Sequence, residues 1–174
     1  MFLGLAVRCR VCWSLLLGVG LLALMAAPRL GHTASGATFE AQVIGVADGD
    51  SLTVLHGRES IRIRLEGIDC PEMRPPQPYC RKAKTFTSRK AFNRNVQVRV
   101  VTTDKYGRKV CRVEVDGQDL SVELLRVGLA WHYAHFNQEP LLASLQAEAR
   151  ARKRGLWADP NPIPPWDWRR LPRP

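Results

Sequence analysis

Four acidic residues lie at the ends of two predicted strands, where their oxygen atoms could bind a metal ion. Asp48 and Asp50 occupy the turn Asp-Gly-Asp, and Asp69 and Glu72 follow in the loop Ile-Asp-Cys-Pro-Glu. Hard cations such as Ca²⁺ take about six to eight oxygen ligands, which include main-chain carbonyls and water. No Cys-x-x-Cys pair and no Cys and His quartet follows residue 36, which argues against a zinc site. The acids therefore favour a calcium site.

Two arginines lie next to the same turns and could bind a phosphate group. Arg64 precedes the second acidic loop, and Arg108 follows the turn Asp-Lys-Tyr-Gly. A guanidinium donates paired hydrogen bonds to phosphate oxygens, which lysine does not reproduce. Each motif taken singly also fits an ordinary surface turn or hairpin. The occurrence of all of them in this order in one chain argues against that interpretation.

The residues that could form this site are carried on predicted strands. Apolar and charged residues alternate strictly from Ile61 to Glu66, which predicts a half-buried strand with Arg64 and Glu66 on its wetter face. The loop that follows is rich in proline and continues to about Tyr79. Loops on a rigid scaffold often carry functional residues.

The remaining pattern predicts a β-rich α+β fold. The elements are strands at 39–47, 51–55 and 61–65, a helix at 80–92, strands at 96–100 and 111–115, a helix at 120–127, and a helix from 140 to about 154. This order predicts a five-stranded barrel of the OB type with about three attached helices. Such barrels commonly bind oligonucleotides on one face.

The charge of the chain favours a polyanionic partner. The chain has a net charge of +10, and residues 37–174 keep 23 basic and 16 acidic side chains, a net charge of +7. Nucleic acid or an anionic membrane surface would suit such a domain. A basic surface that only keeps the protein in solution is the alternative.

The first 36 residues resemble a targeting segment. Arg8 and Arg10 precede an uncharged run from Val11 to Ala27, which predicts a secretory signal peptide followed by a linker. A membrane anchor retained through residues 11–27 is the alternative. We therefore expect export, as a secreted or periplasmic protein, with membrane attachment only if this segment is kept.

The rest of the chain is predicted to divide into a domain at 37–157 and a tail at 158–174. The tail is rich in proline, tryptophan and arginine. We expect it to be extended and to pack on the domain through Trp166 and Trp168. His132 and His135 have the spacing of a metal-binding pair on a helix, but no third ligand accompanies them. We interpret them as surface or substrate-side residues at the end of a helix.

Three cysteines follow the targeting segment. A disulfide between Cys70 and Cys80 would join the acidic loop to the next helix in an oxidising compartment, but spacing alone does not show that their geometry permits it. Cys111, in an alternating apolar strand, is predicted to be a small buried apolar residue.

Three motifs in succession resemble the thermonuclease (staphylococcal nuclease) family. They are V-I-G-V-A-D-G-D-S-L, R-I-R-L-E-G-I-D-C-P-E and D-K-Y-G-R, and the resemblance extends to about Trp157. It implies a five-stranded OB barrel, Ca²⁺ dependence, and hydrolysis of DNA and RNA to products that end in 3′-phosphate.

The resemblance also implies a role for each site residue. Asp50 and Asp69 would be carboxylate ligands of Ca²⁺, with Asp48 in the outer shell. Cys70 stands where the family often has threonine, and this position would contribute its main-chain carbonyl. Glu72 matches the residue that activates the attacking water.

The same motifs imply residues that bind the substrate. Arg64 and Arg108 match the two arginines that bind the phosphate during catalysis, and Lys105 and Tyr106 match positions that line the nucleotide pocket. The loop after Glu72 departs from the family pattern because it is compact and rich in proline.

We therefore predict a monomeric, Ca²⁺-dependent nuclease with little sequence preference. Contacts to phosphate carry no base information, so single-stranded or frayed DNA and RNA would be preferred for their flexibility. One alternative is a catalytically inactive OB-fold module that binds nucleic acid. The other is an interaction protein anchored in the membrane by residues 11–27.

Overall fold

Five strands form a closed barrel because the two edges of one sheet meet. The structure is a computed structural model that describes residues 36–172. The barrel strands are β1 (Thr38–Val46), β2 (Ser51–His56), β3 (Glu59–Leu65), β5 (Asn95–Thr103) and β6 (Lys109–Val115). They pair antiparallel in the order β3-β2-β1-β5-β6, and a parallel pairing of β3 with β6 closes the barrel.

Shorter elements are attached to the barrel. Two short strands, β4 (Ile68–Asp69) and β8 (Trp131–His132), pair with each other, and β7 (Gln118–Asp119) extends the main sheet beside β6. The helices are α1 (Cys80–Ala91), α2 (Leu120–Arg126), α3 (Pro140–Ala151), a 3₁₀ helix (Gly155–Ala158) and α4 (Pro165–Trp168).

The barrel core follows from the alternation of apolar residues. In β3, Ile63 and Leu65 are 0% and 1% exposed. Their counterparts in β5 and β6 include Val98 and Val113, which are also buried. Successive side chains of a strand point to opposite faces, so each strand contributes alternate residues to the interior. Burying them contributes roughly 25 cal/mol for each Å² of apolar surface removed from water.

Helix α2 begins where its sequence provides a cap. The side chain of Asp119 accepts hydrogen bonds from the main-chain N–H groups of Ser121 and Val122. These donors have no partner inside the helix, which is why aspartate is favoured at this position. Leu124 and Leu125 then lie on the face that α2 buries against the barrel.

The predicted fold is confirmed in its class, in its barrel and in the order of its main elements. The short strands, the 3₁₀ helix and α4 were not predicted. Two predictions are wrong: His132 lies buried in β8 and not at the surface end of a helix, and part of the tail is helical and not extended. Cys70 and Cys80 are free thiols, so the structure does not contain the disulfide that the spacing had left open. Cys111 is buried, as predicted.

The predictions for residues 1–36 fall almost entirely outside the described part of the chain. A signal peptide or an anchor at 11–27 therefore stays a prediction, as does the boundary at residue 36. Within residues 36–172, no helix has both the length and the apolar character needed to cross a bilayer.

Candidate active site

Two buried carboxylates meet at one guanidinium at the end of the barrel. The Nη1 atom of Arg64 lies 2.7 Å from Oδ1 of Asp50, and its Nη2 atom lies 2.6 Å from Oδ1 of Asp69. Asp50 and Asp69 are only 2% and 1% exposed. The antiparallel register of β2 and β3 places Ser51 opposite Arg64, so the residue before β2 reaches the end of β3. The barrel therefore brings together two acids that are 19 positions apart in the chain.

Asp50 is held by further hydrogen bonds. Its Oδ2 atom accepts from the main-chain N–H of Cys70 at 2.6 Å, and its Oδ1 atom accepts from the hydroxyl of Ser51 at 3.1 Å. Its own N–H donates to Oδ1 of Asp48 at 3.1 Å. Burial raises the pKa of Asp50 from 3.8 to about 6, although Arg64 acts in the opposite direction.

The turn that carries Asp50 is packed tightly against α1. A Cβ atom on Gly49 would lie 2.7 Å from Sγ of Cys70 and 2.8 Å from Cβ of Ala83. The carbonyl of Gly49 accepts a hydrogen bond of 2.6 Å from Oγ1 of Thr87, which is fully buried. Glycine at this position therefore lets the turn and the helix approach closely enough to fix Asp50.

Glu72 lies in a loop that is braced by Gln77. The N–H of Glu72 donates to Oε1 of Gln77 at 3.0 Å, and the N–H of Gln77 donates back to the carbonyl of Glu72 at 2.8 Å. The Glu72 side chain is 27% exposed, so its carboxylate is accessible to solvent near the buried acids. This exposure suits a group that takes a proton from water.

Arg108 comes immediately before β6, the strand that pairs in parallel with β3. Its Nε atom is 2.7 Å from Oδ2 of Asp104, and its Nη1 atom donates to the hydroxyl of Ser51 at 3.3 Å. Ser51 is thus bonded to both Asp50 and Arg108. Burial would raise the pKa of Asp104, but hydrogen bonds from Arg108 and from the N–H of Tyr106 outweigh it and lower the pKa.

Lys105 and Tyr106 form the exposed end of the turn before β6. The Tyr106 ring is 64% exposed, and its centroid lies 5.7 Å from the guanidinium carbon of Arg108. The Nζ atom of Lys105 lies 5.1 Å from the centroid of the same ring. An exposed aromatic face next to cationic side chains is an arrangement on which a base could stack.

One residue of the site was missed from the sequence. Arg169, in the tail, places Nη2 at 2.8 Å from Oδ2 of Asp69 and contacts the Glu72 carboxylate through Nη1. It lies 100 positions from Asp69 in the chain. The only sequence signal is that the tail is basic and carries tryptophans, which does not indicate where the tail packs.

The donor atoms at Asp50 and Asp69 are of the type that a hard cation uses. Among residues 36–172, no three His, Cys, Asp or Glu side chains are gathered as a metal group. Two carboxylates could be completed by main-chain carbonyls and water, which are ordinary Ca²⁺ ligands. Burial raises the pKa of the Cys70 thiol, because the protein interior disfavours the charged thiolate.

The comparison with known families agrees with this geometry. A family model described as staphylococcal nuclease homologue matches residues 62–159. The chain belongs to the staphylococcal nuclease family. The matched stretch includes Arg64, Asp69, Glu72 and Arg108 and ends before Arg169.

Several relatives in the staphylococcal nuclease family align over long stretches. An uncharacterized endonuclease of Escherichia coli O157:H7 is 40% identical over 134 residues, which cover 76% of this chain and 86% of that protein. An uncharacterized endonuclease of Haemophilus influenzae is 37% identical over 130 residues, covering 74% and 72%. The staphylococcal-like nuclease CAN1 of Arabidopsis thaliana is 38% identical over 115 residues, covering 66% of this chain and 35% of that protein.

Membership of the staphylococcal nuclease family agrees with the resemblance found in the motifs. The structure brings Asp50, Arg64, Asp69 and Glu72 into one cluster, and Ser51 links that cluster to Arg108. The individual roles of these residues stay predictions. The same holds for Asp48, Lys105, Tyr106 and the main-chain carbonyl of Cys70.

Proposed function

We propose that this chain is a Ca²⁺-dependent nuclease that hydrolyses phosphodiester bonds of DNA and RNA and leaves 3′-phosphate ends. The observation that carries the proposal is the convergence of the buried Asp50 and Asp69 carboxylates on Arg64, with Glu72 and Arg108 at the same end of the barrel. Relatives named as endonucleases and nucleases support the same reaction.

Asp50, Asp69 and the main-chain carbonyl of Cys70 would hold the cation, with Asp48 fixing the backbone behind Asp50. A bound Ca²⁺ would act as a Lewis acid toward a phosphate oxygen. These ligands also fix the position at which the phosphate meets the rest of the site. Positioning and charge stabilisation supply most of the rate gain in phosphoryl transfer.

The other side chains would carry out the proton transfer and stabilise the transition state. Glu72 would take a proton from the attacking water as its oxygen bonds to phosphorus. The bond from phosphorus to the 5′ oxygen would break, and that oxygen would take a proton from the solvent, to which Glu72 would release its own, which gives a 3′-phosphate and a 5′-hydroxyl. Arg64 and Arg108 would donate hydrogen bonds to the equatorial oxygens, where negative charge accumulates.

The proposed substrate is single-stranded or frayed nucleic acid of any sequence. The contacts above are directed to phosphate and carry no base information. Stacking on Tyr106, with Lys105 close by, would be tolerant of sequence because every base has an aromatic face. The net positive charge of the chain favours such a polyanion. We propose further that the enzyme is a monomer and, from residues 1–36, that it is exported.

The test is cleavage of end-labelled single-stranded DNA and RNA by the full chain with Ca²⁺ or with EGTA. We expect Ca²⁺-dependent cutting whose fragments cannot be extended at the 3′ end until a phosphatase has acted. Glu72→Gln should abolish most of the cutting. The matched control is Glu59→Gln, which is exposed at the opposite end of β3 and should cut normally.

One result would overturn the proposal, and a second would overturn the role given to Glu72. Binding of nucleic acid without any cutting in Ca²⁺ would identify an inactive binding module. Cutting that Glu72→Gln leaves unchanged would mean that another group takes the proton.

A further inference from the structure

The tail turns back onto the barrel and lies across the acidic loop. We call residues 159–171 the strap. The side-chain Nε2 of Gln77 donates to the carbonyl of Ile163 at 2.6 Å, and Nε1 of Trp168 donates to the carbonyl of Pro75 at 3.1 Å. Both partners on the barrel side belong to the loop that carries Glu72. The strap is thus attached to this loop at two separate points.

Aromatic side chains also hold the strap against the rest of the domain. The Trp166 ring stacks on Tyr133 with centroids 5.0 Å apart and an interplanar angle of 7°. It also meets the edge of Trp131 at 5.8 Å, and Pro165 is buried. Aromatic pairs of this kind are each worth about 0.5–1.5 kcal/mol beyond the area they bury. The strap is therefore held by aromatic contacts as well as by the ion pairs of Arg169.

Arg169 of the strap forms ion pairs with the carboxylates of Asp69 and Glu72. Oδ1 of Asp69 is bonded to Arg64, while Oδ2 of Asp69 lies 2.8 Å from Nη2 of Arg169. The other terminal nitrogen of Arg169 contacts Glu72 and lies 3.4 Å from Oδ1 of Asp69. Both carboxylate oxygens of Asp69 thus accept hydrogen bonds from guanidinium groups, and the Glu72 carboxylate is paired with the guanidinium of Arg169.

We propose that Arg169 is a built-in competitor of the divalent cation, and that the strap must release Asp69 and Glu72 before the site becomes active. The inference rests on the proposed function. A carboxylate oxygen that accepts a short hydrogen bond from a guanidinium is less available to a cation. The Glu72 carboxylate that contacts Arg169 must likewise exchange that contact before it can contact the attacking water.

A role for Arg169 as a third phosphate-binding group is the competing interpretation. The contacts favour competition, because each terminal nitrogen of Arg169 is directed at an acid that the reaction would need free. The two interpretations predict opposite effects on cation binding. A competitor weakens it, whereas a phosphate-binding group leaves it unchanged when no substrate is present.

The experiment is calorimetric titration of the full chain with Ca²⁺ in the absence of nucleic acid. Arg169→Gln is compared with Arg170→Gln, a neighbouring arginine whose partner is Asp167 in the strap itself. We expect Arg169→Gln to lower the Kd for Ca²⁺ by about five- to tenfold, because the ion pairs of Arg169 with Asp69 and Glu72 are lost. Arg170→Gln should leave the Kd unchanged.

A second variant loosens the strap without touching Arg169. Trp168→Phe removes the donor to Pro75 and should lower the Kd for Ca²⁺ in the same direction by a smaller factor. In the wild type, saturation with Ca²⁺ should change the tryptophan fluorescence, because Trp166 leaves its stack on Tyr133. Arg169→Gln should complete this change at a lower Ca²⁺ concentration.

The outcomes separate the two proposals. If the wild type binds Ca²⁺ and cuts DNA while Arg169→Gln shows an unchanged or higher Kd, the strap inference fails and the nuclease proposal stands. If Arg169→Gln leaves the Kd unchanged and raises KM for DNA, Arg169 is a phosphate-binding residue and the inference is overturned. If no form binds Ca²⁺ or cuts, the proposed function fails, and the strap inference fails with it.

Discussion

The Arg64 guanidinium lies 2.7 Å from the Asp50 carboxylate, and this pair links the end of β3 to the start of β2. Asp50 is almost fully buried, whereas the Arg64 side chain is 17% exposed. A buried carboxylate loses its hydration, and a partner with paired donors replaces part of it. Arg64 thus has a structural task as well as the phosphate-binding task proposed for it.

Replacing Arg64 with lysine should lower kcat for cleavage of single-stranded DNA by about 10²- to 10³-fold, the usual cost of losing one transition-state donor. Lysine keeps the charge but cannot bond to Asp50, Asp69 and a phosphate in one plane. Single-turnover kinetics would measure the effect. The control is Arg62→Lys on the same strand. The Arg62 side chain donates to the Tyr106 carbonyl at 3.4 Å, and this variant should cut at nearly the normal rate. Equal losses in both variants would contradict a specific role for Arg64.

Asp50 should make the metal-free protein less stable as the pH rises from about 4 to about 6. Burial raises its pKa from 3.8 to about 6, so the folded state binds the proton more tightly than the unfolded state over this interval. The stability that protonation contributes is therefore present below about pH 4 and is lost as the pH passes about 6.

Urea unfolding in EDTA at several pH values would measure this effect against Asp50→Asn, which cannot titrate. The free energy of unfolding of the wild type should fall relative to the variant between about pH 4 and pH 6 and then run parallel to it. If the free energy of unfolding of the wild type instead rose relative to that of the variant over this interval, the effect of Arg64 on the pKa of Asp50 would outweigh that of burial.

Replacing Gly49 with alanine should destabilise the protein by about 1–3 kcal/mol, the usual cost of forcing an extra carbon into a packed site. The new Cβ would lie under 3 Å from Cys70 and Ala83, so the turn would have to move. Gly45→Ala is the control, because its Cβ would meet Thr53 at an ordinary distance of 3.5 Å. Thermal unfolding of the two variants would compare them, and a similar loss in both would show that backbone freedom, and not the close approach, explains Gly49.

Thr87→Val should cost about 1–3 kcal/mol, because it leaves the buried carbonyl of Gly49 without its donor at nearly unchanged side-chain volume. Thr85→Val on the exposed face of α1 should change the stability little. Chemical denaturation gives both values. We also expect Thr87→Val to weaken Ca²⁺ binding modestly, since the turn that holds Asp50 would be less firmly placed. A variant as stable as the wild type would show that another donor replaces the hydroxyl.

The barrel and most of the cluster could be predicted from the sequence because local patterns determine them. Strict alternation in β3 fixes which residues face the core, and the turn motifs place Asp50, Asp69 and Arg108 at strand ends. Once the strands are ordered as a closed barrel, the register of β2 with β3 brings the acids together. No side-chain detail is needed for that step.

The strap and the environment of His132 could not be predicted in the same way. Arg169 reaches Asp69 because Trp166 and Trp168 dock on distant residues, and no local periodicity encodes such contacts. The spacing of His132 and His135 fits a helix face, but pairing with β4 puts His132 in a strand, where its Nε2 lies 2.7 Å from the Asn137 carbonyl. In both cases tertiary packing decided the outcome.

The parallel pairing of β3 with β6 fixes where the two arginines of the site lie relative to each other. Arg64 lies in β3 opposite Val110, and Arg108 comes immediately before β6, where Lys109 lies opposite Ile63. A displacement of β3 relative to β6 would change the distance between the two guanidinium groups. The main-chain hydrogen bonds that close the barrel, including the 2.9 Å bond from the N–H of Glu66 to the carbonyl of Cys111, therefore help to hold the two arginines at a fixed separation.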